Sequence, residues 1–473
     1  MPSILPKRFL RPLLILAAAV WFWLPLYGGA AAATADPSPV PAEGTRVLLL
    51  YDSLTIGTGR EDETAAAARF LQTLGAKVTV ESMSAYRSGA LANYERLVVL
   101  TIDPALESAA PPELQRELES FPGSVLQLGG VALPAAAGDQ PLRRYGPAPQ
   151  GGAEGRLATA RLLREWMGLP GHGQLYALIR GFTPYSDYSL LRSLADELYE
   201  GGIPFLVAAR PVLDNLQFPA AKRYAETLRY IQGKQGSVLL EAPAVFPVIS
   251  AGIDPLKLQT GAFLDMLMTE GVAPLGIAAE QYWTFDRHYS REGMGFFDSA
   301  VVYADKTDSP VYREKSSVSA FFPSTLYSIS PDFPREWEML RVSTSSYPVD
   351  TAVTLDFPES KKDLEALVKT LKAYPAVFAD YRDREHTTRT AAHTASALSG
   401  KVRIDGVLLA SEARETGDGP DDDFTYIERE KASFTGFFQA QNQIFLAVVV
   451  GALAVFTLFI AAGRRLYRRK FLK

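Results

Sequence analysis

Apolar residues in the first third of the chain come in short unbroken runs rather than in alternation. RVLLLY (46–51), AKVTV (76–80), RLVVL (96–100) and GSVLQLG (123–129) have the length and continuity of strands buried on both faces. Between them, EDETAAAARFLQTLG (61–75) reads as a helix stopped by Gly75, and PPELQRELES (111–120) as a second helix. Strands alternating with helices predict a parallel sheet, here a flavodoxin-like α/β domain over 46–130. A loose stretch rich in Gly, Ala and Pro (131–173) reads as a linker.

The next unit opens on the strand QLYALIR (174–180). SDYSLLRSLADELYEGG (186–202) then sets Leu190, Leu191, Leu194 and Leu198 on one helical face, with Ser186 or Asp187 as N-cap and a glycine pair as stop. IPFLVAAR (203–210), PAAKRYAETLRYIQG (219–233) and SVLLE (237–241) continue as strand, helix and strand. A β-α-β-α-β run predicts three parallel strands with right-handed crossovers. Arg180–Gly181, Arg210 and Glu241 then stand side by side at the carboxyl ends, where α/β folds carry ligand-binding groups. DSAVVYA (298–304) and DTAVTLDF (350–357) are further strands, and ESKKDLEALVKTLKAY (359–374) is an amphipathic helix. Residues 396–443, which include the acidic SEARETGDGPDDDFTYIEREK, read as a stalk.

Both ends carry membrane patterns. Lys7, Arg8 and Arg11 precede the apolar stretch LLILAAAVWFWLPL, and Ala33–Thr34–Ala35 offers a small-residue cleavage site. Residues 1–35 are therefore expected to be a signal peptide, with an uncleaved anchor as the alternative. IFLAVVVGALAVFTLFIAA (444–462) is 19 residues without a charge, followed by six cations in the tail 463–473. That length suits a transmembrane helix and those cations a cytoplasmic end. The expected localisation is a cell membrane, single-pass, with the bulk of the chain outside the cytoplasm. Without both terminal segments the chain has 39 basic and 53 acidic residues, a net −14 against −5 for the whole. Such a surface repels nucleic acid and anionic wall polymers and tolerates neutral or cationic partners, unless a local patch overrides it.

The chain has no cysteine and four histidines. Disulfides, thiolate metal sites and a cysteine nucleophile are excluded, and with the last a glutamine-amidotransferase activity for the first domain. YDSLTIGTGRE (51–61) sits between strand and helix but matches neither the phosphate loop nor the dinucleotide fingerprint, so it reads as an ordinary loop. His386 and His393 would be two turns apart on a helix, a spacing unlike that of helical metal pairs.

From Gln174 to about Asp383 the chain resembles the polysaccharide deacetylase-like superfamily, in an uncharacterised branch of secreted and membrane-anchored bacterial proteins. The segments that carry the resemblance are GFTPYSDYSLLRSLADELYEGGIPFLVAARPV (181–212), LRYIQGKQGSVLLE (228–241), AFFP (320–323) and DFPESKKDLEALVKTLKAY with FADYRD (356–383). The resemblance implies a deformed (β/α) barrel over 174–395 and, in active members, a divalent metal held by an Asp and two His that polarises an acetamide. Its motifs are not present here. Arg180–Gly181 stands at the acidic pair, Glu241-Ala-Pro-Ala-Val at the His-Gly-x-x-His motif, and Phe357 before Pro358 at the late histidine. The expectation is a pseudoenzyme with no cofactor and no metal, binding polysaccharide or envelope proteins, with an Arg180–Glu241 ion pair, joined or not by Arg210, in place of the metal.

The loop QYWTFDRHYSREGMGFFD (281–298) mixes aromatic rings with hydrogen-bonding groups, among them Trp283, Asp286 and His288. Such a loop suits stacking on sugar rings or packing over a barrel mouth. Arg180, Asp187, Arg210, Glu241, Trp283, Asp286 and His288 are the candidate ligand-binding residues. A carbohydrate-active hydrolase drawing on Asp187, Glu241, Asp286 and Asp356 is one alternative, and a protein-binding scaffold or sensor is another.

Overall fold

The computed structural model describes residues 44–52, 63–102, 111–130, 143–147, 152–243, 255–305, 316–329, 347–374 and 376–409, with Arg464. All but Arg464 lie in one compact unit, Met1–Arg414, distinct from Glu415–Lys473. The expected signal peptide, the loop after β1 and the span 444–462 fall outside the described residues. Among the described residues no helix is long and apolar enough to cross a membrane.

Five parallel strands come first among the described residues: β1 (Thr45–Tyr51), β2 (Ala76–Ser82), β3 (Arg96–Leu100), β4 (Ser124–Leu128) and β5 (Arg143–Gly146). Their spatial order, 2-1-3-4-5, is the flavodoxin-like order expected from the alternating pattern. β1 shows why the runs are unbroken: Val47, Leu49 and Tyr51 enter one apolar core while Leu48 and Leu50 enter another. Helices α1 (Glu63–Thr73), α2 (Pro112–Leu118) and α3 (Gly152–Met167) complete this layer.

The stretch expected to be a linker, 131–173, therefore contains β5 and α3. Leu157, Ala160, Leu163 and Trp166 of α3 are buried, at the i, i+3, i+6 and i+9 positions of one helical stripe. The interleaved arginines of GRLATARLLREWM masked that stripe in the sequence.

Five more strands follow: β6 (Leu175–Phe182), β7 (Phe205–Ala209), β8 (Gly236–Glu241), β9 (Pro274–Glu280) and β10 (Ser299–Tyr303). Then β11 (Ser316–Val318) returns to the first sheet and pairs antiparallel with β2. β12 (Ser324–Ile329) and β13 (Thr351–Asp356) close a barrel of seven parallel strands in the order β10-β12-β13-β6-β7-β8-β9. Helices α4 (Tyr188–Glu200), α5 (Pro219–Gly233), α6 (Pro255–Thr269), α7 (Gln281–Phe285) and α8 (Lys361–Lys372) accompany it. Asp187 caps α4 by accepting the Ser189 N–H at 2.8 Å.

At β12 the barrel is covered by α1 of the first sheet. Phe70 stacks on Tyr327 at 4.5 Å, and the Arg69 guanidinium lies over the same ring at 4.9 Å. Gln72 Nε2 donates to Thr284 Oγ1 at 2.9 Å, and Gln281 Nε2 to the Ala65 carbonyl at 3.0 Å. This double contact explains the AAAARF composition: α1 is buried between two sheets, and alanines let it approach both.

The chain ends its described course in a small antiparallel sheet of β14 (His386–Arg389), β15 (Thr394–Leu398), β16 (Lys401–Ile404) and β17 (Val407–Leu408). The expected stalk over 396–443 is corrected here, because 396–409 is folded. Ser399–Gly400 and Asp405–Gly406 all take positive φ, the geometry of two-residue hairpin turns. This sheet lies at the amino ends of the barrel strands. Asp298, just before β10, donates its N–H to the Thr387 carbonyl at 3.1 Å, and Ala379 bonds Leu175 at the start of β6.

Candidate functional site

Register places one set of side chains together at the opposite, carboxyl end of the barrel. Asp356 is in register with Arg180, Leu178 with Leu206, Ala208 with Leu239, and Tyr303 is level with Glu280. Counting by twos along each strand, Arg180, Arg210, Glu241, Tyr303 and Asp356 share the interior face. Contacts across non-neighbouring strands agree, since the Arg180 guanidinium lies 5.6 Å from the centre of the Tyr303 ring.

Gly181 shapes this cluster. Between Ile179 and Phe182 the β6–β7 register slips, and Gly181 sits in the bulge at φ +81°. Only glycine adopts that conformation at little cost. The bulge frees its N–H from the ladder and turns it toward Glu241, whose Oε2 accepts it at 2.7 Å. Glu241 Oε1 lies 3.6 Å from Arg210 Nη2. Glu241 is buried, and burial raises its carboxyl above the ordinary value. The Gly181 N–H, Arg210 and Arg180 pull it back down.

Of the expected pairing of Glu241 with Arg180 and Arg210, the geometry keeps the Arg210 contact and corrects the Arg180 one. Arg180 Nε bonds Asp356 Oδ1 at 2.6 Å, while Arg210 is the ion-pair partner of Glu241. The reason is register, because β13 rather than β8 is hydrogen-bonded to β6 on that side. Beneath Arg180, the Tyr303 hydroxyl is buried without a hydrogen-bond partner among the described residues. Burial first, then the Glu241 charge, hold its phenol well above the ordinary value. Phe357, at the place of the late histidine, packs on Phe182 at 5.2 Å.

The remaining candidates have structural duties. Trp283 is buried and stacks on Tyr289 at 4.7 Å, so its ring is not offered to a ligand. Asp286 Oδ1 accepts the N–H groups of His288 and Tyr289 at 2.8 and 2.9 Å, capping the π-helical turn Tyr289–Gly293. The His288 ring meets the Tyr289 edge at 5.8 Å. Of the seven candidates, Arg180, Arg210 and Glu241 are brought together. Tyr303 was missed, although DSAVVYA carries a tyrosine near the end of a buried strand, and Asp356 had been named only for the hydrolase alternative.

His386 and His393 lie on an extended hairpin rather than on one helix. His386 is buried against Tyr381 at 3.8 Å, with Nδ1 2.8 Å from Ser299 Oγ and Nε2 2.7 Å from the Tyr381 carbonyl. His393 pairs with Asp405 at 2.7 Å. Among the described residues no three His, Cys, Asp or Glu side chains gather as a metal site. At the mouth Arg180 stands where the resemblance implies the acidic pair and Glu241 where it implies the first histidine; Glu241 faces Arg210 and the Gly181 N–H, and guanidiniums offer no lone pair to a divalent cation.

No family model matches the chain, and no curated protein does. Among solved structures, one match is a candidate polysaccharide deacetylase from Mycobacterium smegmatis. It is 13% identical over 44% of this chain and 87% of its own, with a TM-score of 0.27.

Proposed function

We propose that this chain is a carbohydrate-binding protein of the cell envelope whose barrel mouth holds glycan without deacetylating it. The reading rests on one observation: Arg180 with Asp356, and Arg210 and the Gly181 amide with Glu241, occupy the mouth with mutually neutralising charges. A deacetylase mouth needs a Lewis acid and a base there. Alternating guanidinium donors and carboxylate acceptors suit sugar hydroxyls instead. Tyr185, in the loop that follows β6, is 88% exposed and offers a ring to stack on a sugar face. The resemblance supplies the polysaccharide class, and the apolar run 444–462 supplies the membrane tether.

The test is acetate release from an acetylated glucosamine polymer by the full chain, with zinc or cobalt added, beside thermal protection by soluble oligosaccharides of the same sugar. No release above the blank together with a raised melting temperature is expected. Metal-dependent release lost in Glu241→Ala overturns the reading.

A second reading is favoured by the raised Glu241 carboxyl, a property of general acids in glycoside hydrolysis. It requires new reducing ends to appear from a glycan and to vanish in Glu241→Gln.

A further inference from the structure

The small sheet at the closed end of the barrel has two unlike faces. His386, Thr388, Ala395, Ala397 and Ile404 are buried against the barrel. The alternate positions point outward, and register aligns Leu398 with Lys401, and Arg403 with both Ser396 and Leu408. Arg389 and Lys401 are exposed, Arg403 is half-buried, and Leu398 and Leu408 are 52% and 55% exposed. None of the three cations has a carboxylate within ion-pair distance among the described residues. Glu385 and Asp383 are the acidic neighbours at the rim, and Asp405 is engaged with His393.

We propose that this outer face rests on an anionic lipid surface, which turns the barrel mouth away from the membrane. The proposal builds on the membrane-tether reading above. Cations interleaved with leucines are the composition of a lipid-facing surface: the leucines enter the headgroup layer and the cations meet phosphate. The patch is basic on a chain whose segment between the two terminal runs is acidic by 14 charges. Position in the chain points the same way. β17 is the last described strand before the apolar run at 444, and the mouth lies at the other end of the barrel. A face held on lipid here would present Arg180, Arg210 and Glu241 to polymers outside.

The experiment uses the full chain in lipid nanodiscs, of phosphatidylcholine alone or with a third phosphatidylglycerol, read by hydrogen exchange over peptides spanning 386–409. Slower exchange in the anionic discs only is expected, reversed by high salt and by the double variant Lys401→Glu with Arg403→Glu. Each cation lost at an anionic surface weakens attachment about fivefold, so the double variant should exchange as in neutral discs. Equal exchange in both discs overturns the proposal. So does equal protection by soluble polyglutamate without lipid, which would assign the face to an acidic polymer. If the chain stays outside the discs, the tether reading fails. The face then stands or falls on whether anionic vesicles added to the same chain slow exchange there.

Discussion

Replacing Glu241 tests whether the mouth is held by its charges. In Glu241→Ala the Gly181 N–H loses a charged acceptor at 2.7 Å and Arg210 loses its counter-charge at 3.6 Å. Breaking a buried pair costs ~3–5 kcal/mol. A lost hydrogen bond to a charged group costs about 1.5–3 kcal/mol. Arg210 is 47% exposed at its side chain, so water can solvate it once it is alone. Removing the carboxylate also relieves its own desolvation. The net loss should therefore sit near ~2 kcal/mol, or roughly 4–8 °C of melting temperature for a domain of this size.

Glu241→Gln keeps an oxygen for Gly181 and the same volume, so it should lose less than ~1 kcal/mol. The two variants also differ in pH response. The folded state raises the Glu241 carboxyl, so it holds a proton more readily than the unfolded chain. Stability from this group is greatest below the ordinary value of 4.5 and falls as pH rises through the raised one. The glutamine variant should lack that fall. The assay is thermal unfolding followed by near-ultraviolet circular dichroism from pH 4 to pH 8. A Glu241→Ala protein melting within about a degree of the parent would refute the reasoning.

Gly181→Ala meets no atom within 4 Å but must hold φ +81°. It should lose ~1–2 kcal/mol by strain alone, read by urea unfolding. His386 is held down to about 4, chiefly by burial and further by Arg384, against the Tyr381 carbonyl. Its contribution is complete above the ordinary histidine value of 6.5 and is lost as pH falls from there toward 4. His386 signals should show a neutral ring at pH 6 by nuclear magnetic resonance, and a charged ring there would contradict the packing. Phe70→Ala should cost ~3–5 kcal/mol and make the first sheet and the barrel exchange amides independently, since the Phe70–Tyr327 stack joins them. Unchanged exchange on both sides would show that the stack does not couple them.

The elements of the barrel's first half were legible in the sequence because their cues are local. Leu190, Leu191, Leu194 and Leu198 mark one helix face, and the runs ending at Arg180, Arg210 and Glu241 are too apolar for an exposed strand. The carboxyl ends of three parallel strands follow from those cues, and so do three members of the mouth. Other features left no local trace. α3 is hidden by its arginines. β12 is wrapped by a helix from another sheet, β14 and the start of β15 lie inside the span expected for the barrel, and β16 and β17 lie in the stretch expected to be an acidic stalk. For Trp283 both sugar stacking and packing stayed open, because aromatic composition cannot distinguish a stacked interior from an open cleft.

What the sequence determined by itself is periodicity: which segments are buried on two faces, which on one, and where a strand must stop. Partner choice at the mouth was decided only by the tertiary structure. Arg180 had Glu241, Asp356 and Tyr303 all within the same end of the barrel, and a carboxylate 176 residues away took the hydrogen bond. That outcome depends on closure of the barrel, which brings β13 against β6, and on one left-handed glycine that turns an amide toward Glu241. Strand order and a single bulge are long-range properties, set by how seven strands share a circumference, and no local window of residues contains them.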